Sequence, residues 1–248
     1  NDEGGSYSGR TYLGSGSEIS ANARLDLYHL SSSYVGETAG DYSGSSVACG
    51  GDVDGDGVAD VLTGSPGFAQ STGRVHLALG GSLTSDVDLA NAFLSIEGEN
   101  RGDLIGSRVD FAGDVDGDGL SDVVLGSWSN HDRGTFSGKV YLLTGSTLKQ
   151  GGSLDLSLAD ASWVGEDSGN RAGHSVSGVG DVDGDGLDDV AFGAYGFNDS
   201  GSSSYMGAVY VALSSGDMGQ SSLGAEHVSH TLLGEDEKHY AGYDVSEL

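Results

Sequence analysis

The stretch that decides the fold is DVDGDGLSDVVLGSW, which occupies residues 114–128. Within it, an aspartate-rich loop leads directly into an apolar run that stops at Gly126. The same arrangement recurs as DVDGDGVADVLTGSP at 52–66 and as DVDGDGLDDVAFGAY at 181–195. Three copies of one phrase, separated by 62 and 67 residues, predict a repeat protein in which each copy marks one structural unit.

Two further phrases share this period. A phrase beginning Gly-Glu lies 16 residues before each aspartate loop, with its glycine at 36, 98 and 165, and it occurs again at 234. A phrase of the type GRVHL begins at 9, 73, 138 and 207. Both ends of the chain fall inside a unit, so we interpret it as part of a longer array or as a protomer whose ends complete each other. The predicted divisions are the C-terminal half of a unit at 1–35, units at 36–97, 98–164 and 165–233, and the start of another at 234–248.

Each unit is predicted to contain four short strands. The predicted first strands are Ser46–Cys49, Arg108–Phe111, His174–Ser177 and Tyr243–Ser246. The second strands are the continuous apolar runs Val61–Thr63, Val123–Leu125 and Val190–Phe192, a pattern typical of strands buried on both faces. The GRVHL-type phrases supply the third strands, and the fourth are Phe93–Ile96, Trp163–Val164 and Thr231–Leu233. The sequence therefore predicts an all-β fold of about four blades, each with four antiparallel strands, within a β-propeller or a larger array.

The aspartate loops have the form D-x-D-G-D-G-x-x-D and predict calcium sites. Carboxylates at alternate positions of a tight loop converge on one point, and the glycine at the sixth position permits the sharp turn. The seventh residue is expected to add its backbone carbonyl, and such all-oxygen ligation favours Ca²⁺. The predicted ligands of the three sites are Asp52, Asp54, Asp56, Val58 and Asp60; Asp114, Asp116, Asp118, Leu120 and Asp122; and Asp181, Asp183, Asp185, Leu187 and Asp189.

The sequence disfavours two other interpretations of these loops. An EF-hand needs glutamate at the twelfth position, but Thr63, Leu125 and Phe192 stand there. The alternative of an acidic turn without metal is disfavoured, because four carboxylates crowded into one loop would repel one another in all three copies.

Composition excludes several classes of function. The formal net charge is −28, so the chain is not expected to bind nucleic acid or to associate with anionic membrane surfaces. No apolar run is long enough to span a membrane, and the first residues do not read as a signal peptide. Cys49 is the only cysteine, so no intrachain disulfide can form. No catalytic motif is present, and we predict that the chain is not an enzyme.

The three loop phrases, each followed by LTGSP, VLGSW or AFGAY, resemble FG-GAP repeats. These repeats form the blades of integrin α-subunit propellers and of many bacterial surface proteins. The resemblance covers nearly the whole chain and implies a propeller with Ca²⁺ in the hairpin loop between the first two strands of a blade. It also suggests a bacterial-type surface or secreted protein. The family's rings usually have seven blades, whereas this chain holds about four units.

Three other features are candidates for function. Arg101-Gly102-Asp103 resembles a cell-adhesion tripeptide, but the repeat itself explains the glycine and the aspartate. The glutamates of the Gly-Glu phrases could support the metal loops, although hydrogen bonding at a strand end is the favoured interpretation. The variable loops after the second strands are rich in aromatics and could bind a partner or pack between blades; they contain Phe68, Trp128, Phe136, Tyr195, Phe197 and Tyr205.

The sequence thus predicts an extracellular or cell-surface calcium-binding module for adhesion, with a protein or glycan ligand. One alternative is a structural subunit that self-associates head-to-tail through its terminal strands and forms a filament or layer. Another is an accessory propeller domain of a secreted hydrolase.

Overall fold

The structure is a computed structural model that describes residues 5–14, 30, 32–82, 87–198, 205–214, 223–224, 228–236 and 238–246. Its strands form four sheets. The first sheet contains β1 (Arg10–Leu13), β2 (Ser32–Val35) and β6 (Val87–Asp88). The second contains β3 (Ser46–Cys49), β4 (Val61–Ser65), β5 (Arg74–Ala78), β7 (Leu94–Glu97) and β11 (Gly152–Asp155). The third contains β8 (Arg108–Gly113), β9 (Asp122–Ser127), β10 (Lys139–Leu143), β12 (Ala161–Val164) and β16 (Leu223–Gly224). The fourth contains β13 (Ser175–Gly180), β14 (Asp189–Ala194), β15 (Ala208–Ala212) and β17 (His230–Leu233).

Little helix accompanies these sheets. A short helix, α1, spans Gly145–Leu148, and 3-10 turns lie at Gly80–Ser82, Leu89–Asn91 and Leu156–Leu158. Among the described residues, no helix has the length and apolar character needed to cross a bilayer. The predicted all-β class with propeller-like blades is confirmed.

Four strands of each complete sheet follow one another as an antiparallel meander, as predicted. In the third sheet β8 pairs with β9, β9 with β10, and β10 with β12, all antiparallel. The first strand of each unit lies at one edge of its sheet, beside the first strand of the next unit. There the hydroxyl of Ser46 accepts the N–H of Val109 at 3.1 Å, and the hydroxyl of Ser177 donates to Asp110 at 2.9 Å.

A fifth, parallel strand at the opposite edge was not predicted. The segment between the third and fourth strands of one unit pairs with the fourth strand of the preceding sheet: β6 with β2, β11 with β7, and β16 with β12. A weak signal was present, since Val87-Asp88-Leu89 and Leu154-Asp155-Leu156 share one pattern. The side chains of Asp88 and Asp155 cap the 3-10 turns that follow, and both leucines at the turns are buried. This parallel strand pairing therefore links each unit to the one before it.

The predicted strand at Tyr243–Ser246 is wrong in this structure, where these residues form bends and irregular backbone. A strand persists only when its backbone groups find a partner. In the other units that partner is the strand after the aspartate loop, and no such strand lies beside 243–246 among the described residues. The observed second strands also extend further than predicted, because they end one residue after Gly64, Gly126 and Gly193.

The core lies between neighbouring sheets. Val124, Trp163, Phe192 and Tyr210 belong to the cluster between the third and fourth sheets. Val123 and Leu125, which flank Val124 in β9, face the cluster between the second and third sheets. Because successive strand residues point to opposite faces, β9 is buried on both sides, which explains its continuous apolar run. Burying a side chain of this size contributes about 1.5–3 kcal/mol.

The glycines that end the second strands allow the next unit to approach. A Cβ added at Gly64 would lie 2.0 Å from the carbonyl oxygen of Gly106. A Cβ added at Gly126 would lie 2.2 Å from the carbonyl oxygen of Gly173. At Gly193 it would lie 1.9 Å from the carbonyl oxygen of Gly242. Any side chain at these positions would therefore push neighbouring units apart.

Candidate metal loops and the opposite face

The aspartate loops connect the first and second strands of the second, third and fourth sheets. In each loop the carboxylates at the first, third and ninth positions converge, and one oxygen from each lies within 4.8 Å of the others. The three sets are Asp52, Asp54 and Asp60; Asp114, Asp116 and Asp122; and Asp181, Asp183 and Asp189. This convergence arises three times because each loop has the same turn geometry.

The ninth aspartate is the buried anchor of each loop. In the second loop, Asp122 accepts the N–H of Val115 at 2.7 Å and the N–H of Gly145 at 2.6 Å. Asp60 makes the matching bonds to Val53 and Gly80, both at 2.8 Å. Burial raises the pKa of Asp122 to about 7, and the charges of nearby aspartates act in the same direction. Burial likewise raises the pKa of Asp60. These carboxylates lie where a nearby cation would be favourable.

The first aspartate holds the turn itself. Asp52 accepts the N–H groups of Gly55 and Gly57, each at 2.8 Å. Hydrogen bonds from Gly57, Gly55 and Asp56 lower the pKa of this carboxyl, despite partial opposition from desolvation. Gly57 has a φ of +82°, a left-handed conformation that residues with a side chain rarely adopt. The expectation that glycine at the sixth position permits the sharp turn agrees with this geometry.

The aspartate at the fifth position lies outside each converging set of carboxylates. Asp118 uses one oxygen to accept the N–H of Leu120 at 2.8 Å, and Asp56 and Asp185 make the same bond to Val58 and Leu187 at 2.8 Å and 2.9 Å. The structure therefore brings together three of the four predicted carboxylate ligands in each loop. The ligand roles predicted for the fifth aspartate and for the backbone carbonyl of the seventh residue remain predictions.

The donor set fits a hard divalent cation. The converging groups are all carboxylates, and three oxygens already lie at mutual distances that one ion could bridge. The ion pairs found among the described residues do not involve these carboxylates. The third-position aspartates Asp54, Asp116 and Asp183 are exposed, whereas the ninth aspartate of each set is buried and would close the site from the core side.

Comparison with known proteins agrees with this fold and these loops. The FG-GAP repeat family matches residues 43–77 and 172–211, each of which spans a first strand, an aspartate loop and the strands after it. The chain carries FG-GAP repeats. It is 30% identical over 175 residues to integrin alpha-4 of Xenopus laevis, covering 64% of this chain and 15% of that protein.

Other integrin subunits give similar matches. Integrin alpha-PS2 of Drosophila melanogaster is 30% identical over 170 residues, covering 65% of this chain and 12% of the relative. Integrin alpha-2 of Mus musculus is 32% identical over 178 residues, covering 66% of this chain and 14% of that protein. The chain thus spans about a sixth or less of the length of these relatives. The likeness concerns the FG-GAP repeats.

Glu37, Glu99 and Glu166 of the Gly-Glu phrases join consecutive repeats through side chains outside the metal loops. Glu99 accepts from Lys139 at 2.7 Å and from the hydroxyl of Tyr141 at 2.8 Å, both on β10. Glu166 accepts from the hydroxyl of Tyr210 on β15 at 2.7 Å. Each glutamate follows the fourth strand of one sheet and binds the third strand of the next. The favoured interpretation of hydrogen bonding at a strand end agrees with these contacts.

The Arg101-Gly102-Asp103 tripeptide does not present an adhesive carboxylate. Asp103 is 2% exposed and accepts the backbone N–H of Asn100 at 3.1 Å. Asn130 donates to the same carboxylate at 3.4 Å. Asn170 takes the equivalent turn position in the next repeat and accepts the N–H of Asp167 at 2.9 Å. Asp103 is therefore a structural turn residue.

The aromatic residues of the variable loops divide into two groups. Phe197 packs against the core, and the guanidinium of Arg74 lies 3.5 Å from the ring centroid of Phe68. Trp128 and Tyr195 instead belong to a series of ring contacts at the surface. We call this series the aromatic ridge; it consists of Phe136, Trp128, His174, Tyr195, Tyr243, Tyr240 and Tyr205.

Short distances connect the ridge. The ring centroids of His174 and Tyr195 are 4.4 Å apart, and those of Tyr195 and Tyr243 are 5.3 Å apart. The guanidinium of Arg171 lies 5.1 Å from the ring centroid of Tyr195 and 6.0 Å from that of Trp128. Burial lowers the pKa of His174, so that this imidazole favours its neutral form.

The ridge and the metal loops lie at opposite ends of the strands. Trp128 directly follows β9, whereas the second aspartate loop directly precedes that strand. His174 directly precedes β13, and the third loop follows it. Sequence reasoning missed His174, Tyr240 and Tyr243 as members of the ridge, because they occur in the Gly-Glu turns and not in the variable loops. These residues lie at the same end of the strands as Trp128 and Tyr195, and this shared position could have identified them as members of the ridge.

Proposed function

We propose that this chain is a calcium-binding recognition module that works outside the cell or at its surface and binds a protein or glycan ligand without chemistry of its own. The observation that carries the proposal is the division of the fold into two ends. One end holds three equivalent sets of aspartates, and the other holds a partly exposed aromatic ridge.

In this proposal calcium has a structural role and not a catalytic one. The three loops lie at equivalent places in three sheets, and their ninth aspartates are fixed by backbone hydrogen bonds. An active site normally is one asymmetric constellation, whereas these sites repeat. Millimolar calcium outside cells is sufficient to fill even weak loops of this type.

The aromatic ridge supplies the contact surface. Tyr243 is 60% exposed, Tyr240 is 40% exposed, and Phe136 is 36% exposed, so a ligand can reach all three rings. Tyrosine, tryptophan and arginine dominate the residues that carry binding energy at protein interfaces. Rigid rings with few rotatable bonds give contact area at low entropic cost, whether the ligand is a protein or a sugar.

The test compares ligand binding by two variants in calcium-containing buffer. Immobilised wild-type chain is screened against purified extracellular-matrix proteins and a glycan array, and each positive ligand is then measured with Tyr243→Ala. We expect affinity to fall at least tenfold while the melting temperature stays unchanged. Leu158→Ala is the control, because this leucine is 70% exposed outside the ridge. Equal binding by wild type and Tyr243→Ala would reject the ridge as the contact surface.

A second candidate, head-to-tail self-association, rests on the exposed face of the fourth sheet. Leu232 is 60% exposed and Val182 is 54% exposed, and both line an apolar cleft with Ala191 and Val211. In the second and third sheets, the corresponding faces are packed against the next sheet. Light scattering in calcium tests this candidate: Leu232→Asp reduces the mass if this face self-associates, and a monomeric wild type contradicts it.

A further inference from the structure

We infer that consecutive metal loops are coupled, with Ser121 and Asp188 acting as positioning residues for the loop that precedes their own. Each occupies the eighth position of its loop, between the seventh residue and the buried ninth aspartate. This inference rests on the proposed calcium sites, but it concerns residues that are not among the predicted ligands.

The first and second loops meet through a pair of hydrogen bonds. The backbone N–H of Asp52 donates to the hydroxyl of Ser121 at 2.9 Å. The backbone N–H of Ser121 donates to the carbonyl of Asp52, also at 2.9 Å. Ser121 therefore holds both backbone groups of the first aspartate of a loop that lies 69 residues earlier in the chain.

The second and third loops meet in the same way through different chemistry. The backbone N–H of Asp114 donates to the carboxylate of Asp188 at 2.8 Å. The N–H of Asp188 donates to the carbonyl of Asp114 at 3.1 Å. A hydroxyl and a carboxylate thus play one role at equivalent positions, which indicates that the role is to accept the N–H of the first aspartate.

Apolar contacts add to this coupling. A Cβ placed on Gly55 in the first loop would lie 3.1 Å from the side chain of Leu120 in the second. A Cβ on Gly117 would lie at the same distance from Leu187 in the third loop. The seventh residue of each later loop therefore packs against the fourth residue of the loop before it.

The held aspartate is the residue that shapes the loop. The carboxylate of Asp52 accepts the N–H groups of Gly55 and Gly57, and that of Asp114 accepts those of Gly117 and Gly119. Fixing the backbone at the first position therefore orients a carboxylate of the converging set. Loss of a group that orients a metal ligand typically lowers affinity by 10- to 100-fold.

The third loop offers an internal comparison. Among the described residues, no eighth-position residue of another loop contacts the backbone of Asp181. Substitutions at Ser121 and Asp188 should therefore change calcium affinity in the first and second loops respectively, and leave the third loop unchanged. Each substitution is therefore expected to change the calcium affinity of the preceding loop and not that of the loop that contains it.

The experiment isolates one site at a time and titrates the full chain with Ca²⁺ by calorimetry. In the double variant Asp116→Asn, Asp183→Asn, only the first site remains intact, and we expect added Ser121→Ala to weaken its affinity about tenfold. In Asp54→Asn, Asp183→Asn, where the second site remains, Ser121→Ala should change affinity less than twofold. Ser153→Ala, at an exposed position of β11, is the control for a lost hydroxyl.

Asp188 provides a second, independent test. With only the second site intact, Asp188→Ala should weaken calcium binding about tenfold, whereas Asp188→Asn, which keeps an acceptor oxygen, should retain most of the affinity. Equal losses in both variants would mean that charge near the site matters and would overturn the positioning role. Loss at the variant's own loop alone would also overturn it. If the wild type takes up no calcium, the proposed function fails together with this inference; if it does and the variants leave the preceding site unchanged, the coupling alone fails.

Discussion

Glu37 and His76 are hydrogen-bonded across two sheets, with 2.8 Å between Oε1 of the glutamate and Nε2 of the imidazole. Glu37 follows β2 of the first sheet, and His76 lies on β5 of the second. The same glutamate oxygen lies 2.6 Å from Nη1 of Arg74. Glu99 and Glu166 make equivalent contacts in the next two repeats, so this carboxylate is a regular link between neighbouring sheets.

The link predicts a pH dependence of stability. The hydrogen bond from His76, followed by the hydrogen bond and the positive charge of Arg74, lowers the pKa of Glu37 from 4.5 to about 2. Because the folded pKa lies below the unfolded one, the stabilisation is complete above about pH 4.5 and is lost as the pH falls towards 2. We expect Glu37→Gln to lower the free energy of unfolding by about 2 kcal/mol at pH 7.

Urea denaturation of wild type and Glu37→Gln across pH 3–7 measures this difference. The gap between the two proteins should shrink steadily below pH 4.5. Taking the difference cancels the acid response of the metal loops, which both proteins share. A gap that stays constant with pH would contradict the role of the ionised carboxylate.

Asp116→Asn should have opposite effects with and without calcium. In millimolar calcium the variant loses a ligand, and because a site filled at a hundredfold excess over Kd contributes about 2.7 kcal/mol, the melting temperature should fall by several degrees. In EDTA the variant removes a charge that repels Asp114 and Asp118, so its melting temperature should equal or exceed that of the wild type. Differential scanning calorimetry in both buffers checks the change of sign.

Asp167→Asn is the matched control, since it removes the same charge from an exposed turn outside the loops. It should shift the melting temperature little in either buffer. A fall of equal size for Asp116→Asn in calcium and in EDTA would show that the residue stabilises the fold without acting as a ligand.

Gly126→Ala should separate two neighbouring repeats. The added methyl would lie 2.2 Å from the carbonyl oxygen of Gly173, and two backbones would have to move apart. Overpacking of this kind costs about 1–3 kcal/mol. Chemical denaturation with Ser153→Ala as the exposed control measures the loss, and a Gly126→Ala protein as stable as the wild type would contradict the close packing.

Substitution of Asp103 should affect folding and not adhesion. Asp103→Ala leaves the N–H of Asn100 without its acceptor and should destabilise by about 1–3 kcal/mol. Asp103→Asn keeps an acceptor, as Asn170 does in the next repeat, and should remain folded. Cell attachment to Asp103→Asn should equal attachment to the wild type, although the tripeptide is lost; reduced attachment with an unchanged melting temperature would restore the adhesive interpretation.

Much of the fold could be predicted from the sequence because the copies of the repeat can be compared with one another. The phrase around Asp122 and Gly126 occurs three times, so a strand boundary inferred in one unit was supported by the others. The continuous apolar run at Val123–Leu125 correctly indicated a strand buried on both faces. The aspartate spacing also predicted that carboxylates converge, and they do so at the first, third and ninth positions.

Relations between repeats were harder to predict. The parallel pairing of β11 with β7 depends on which segment reaches the edge of the preceding sheet, and a two- to four-residue pattern carries little information about that. The contact between Asp52 and Ser121 joins positions that no local periodicity relates. The strand predicted at Tyr243–Ser246 was wrong because a strand depends on its pairing partner as well as on its own sequence.

The most direct test of the account counts the calcium ions that the folded chain binds. Native mass spectrometry and calorimetry of the metal-free protein, titrated to millimolar calcium, should both give three ions per chain. The count should fall to two in Asp54→Asn, Asp116→Asn or Asp183→Asn and remain three in Asp167→Asn. Absence of saturable calcium binding, or a count that the three loop variants leave unchanged, would contradict the assignment of the aspartate loops as calcium sites.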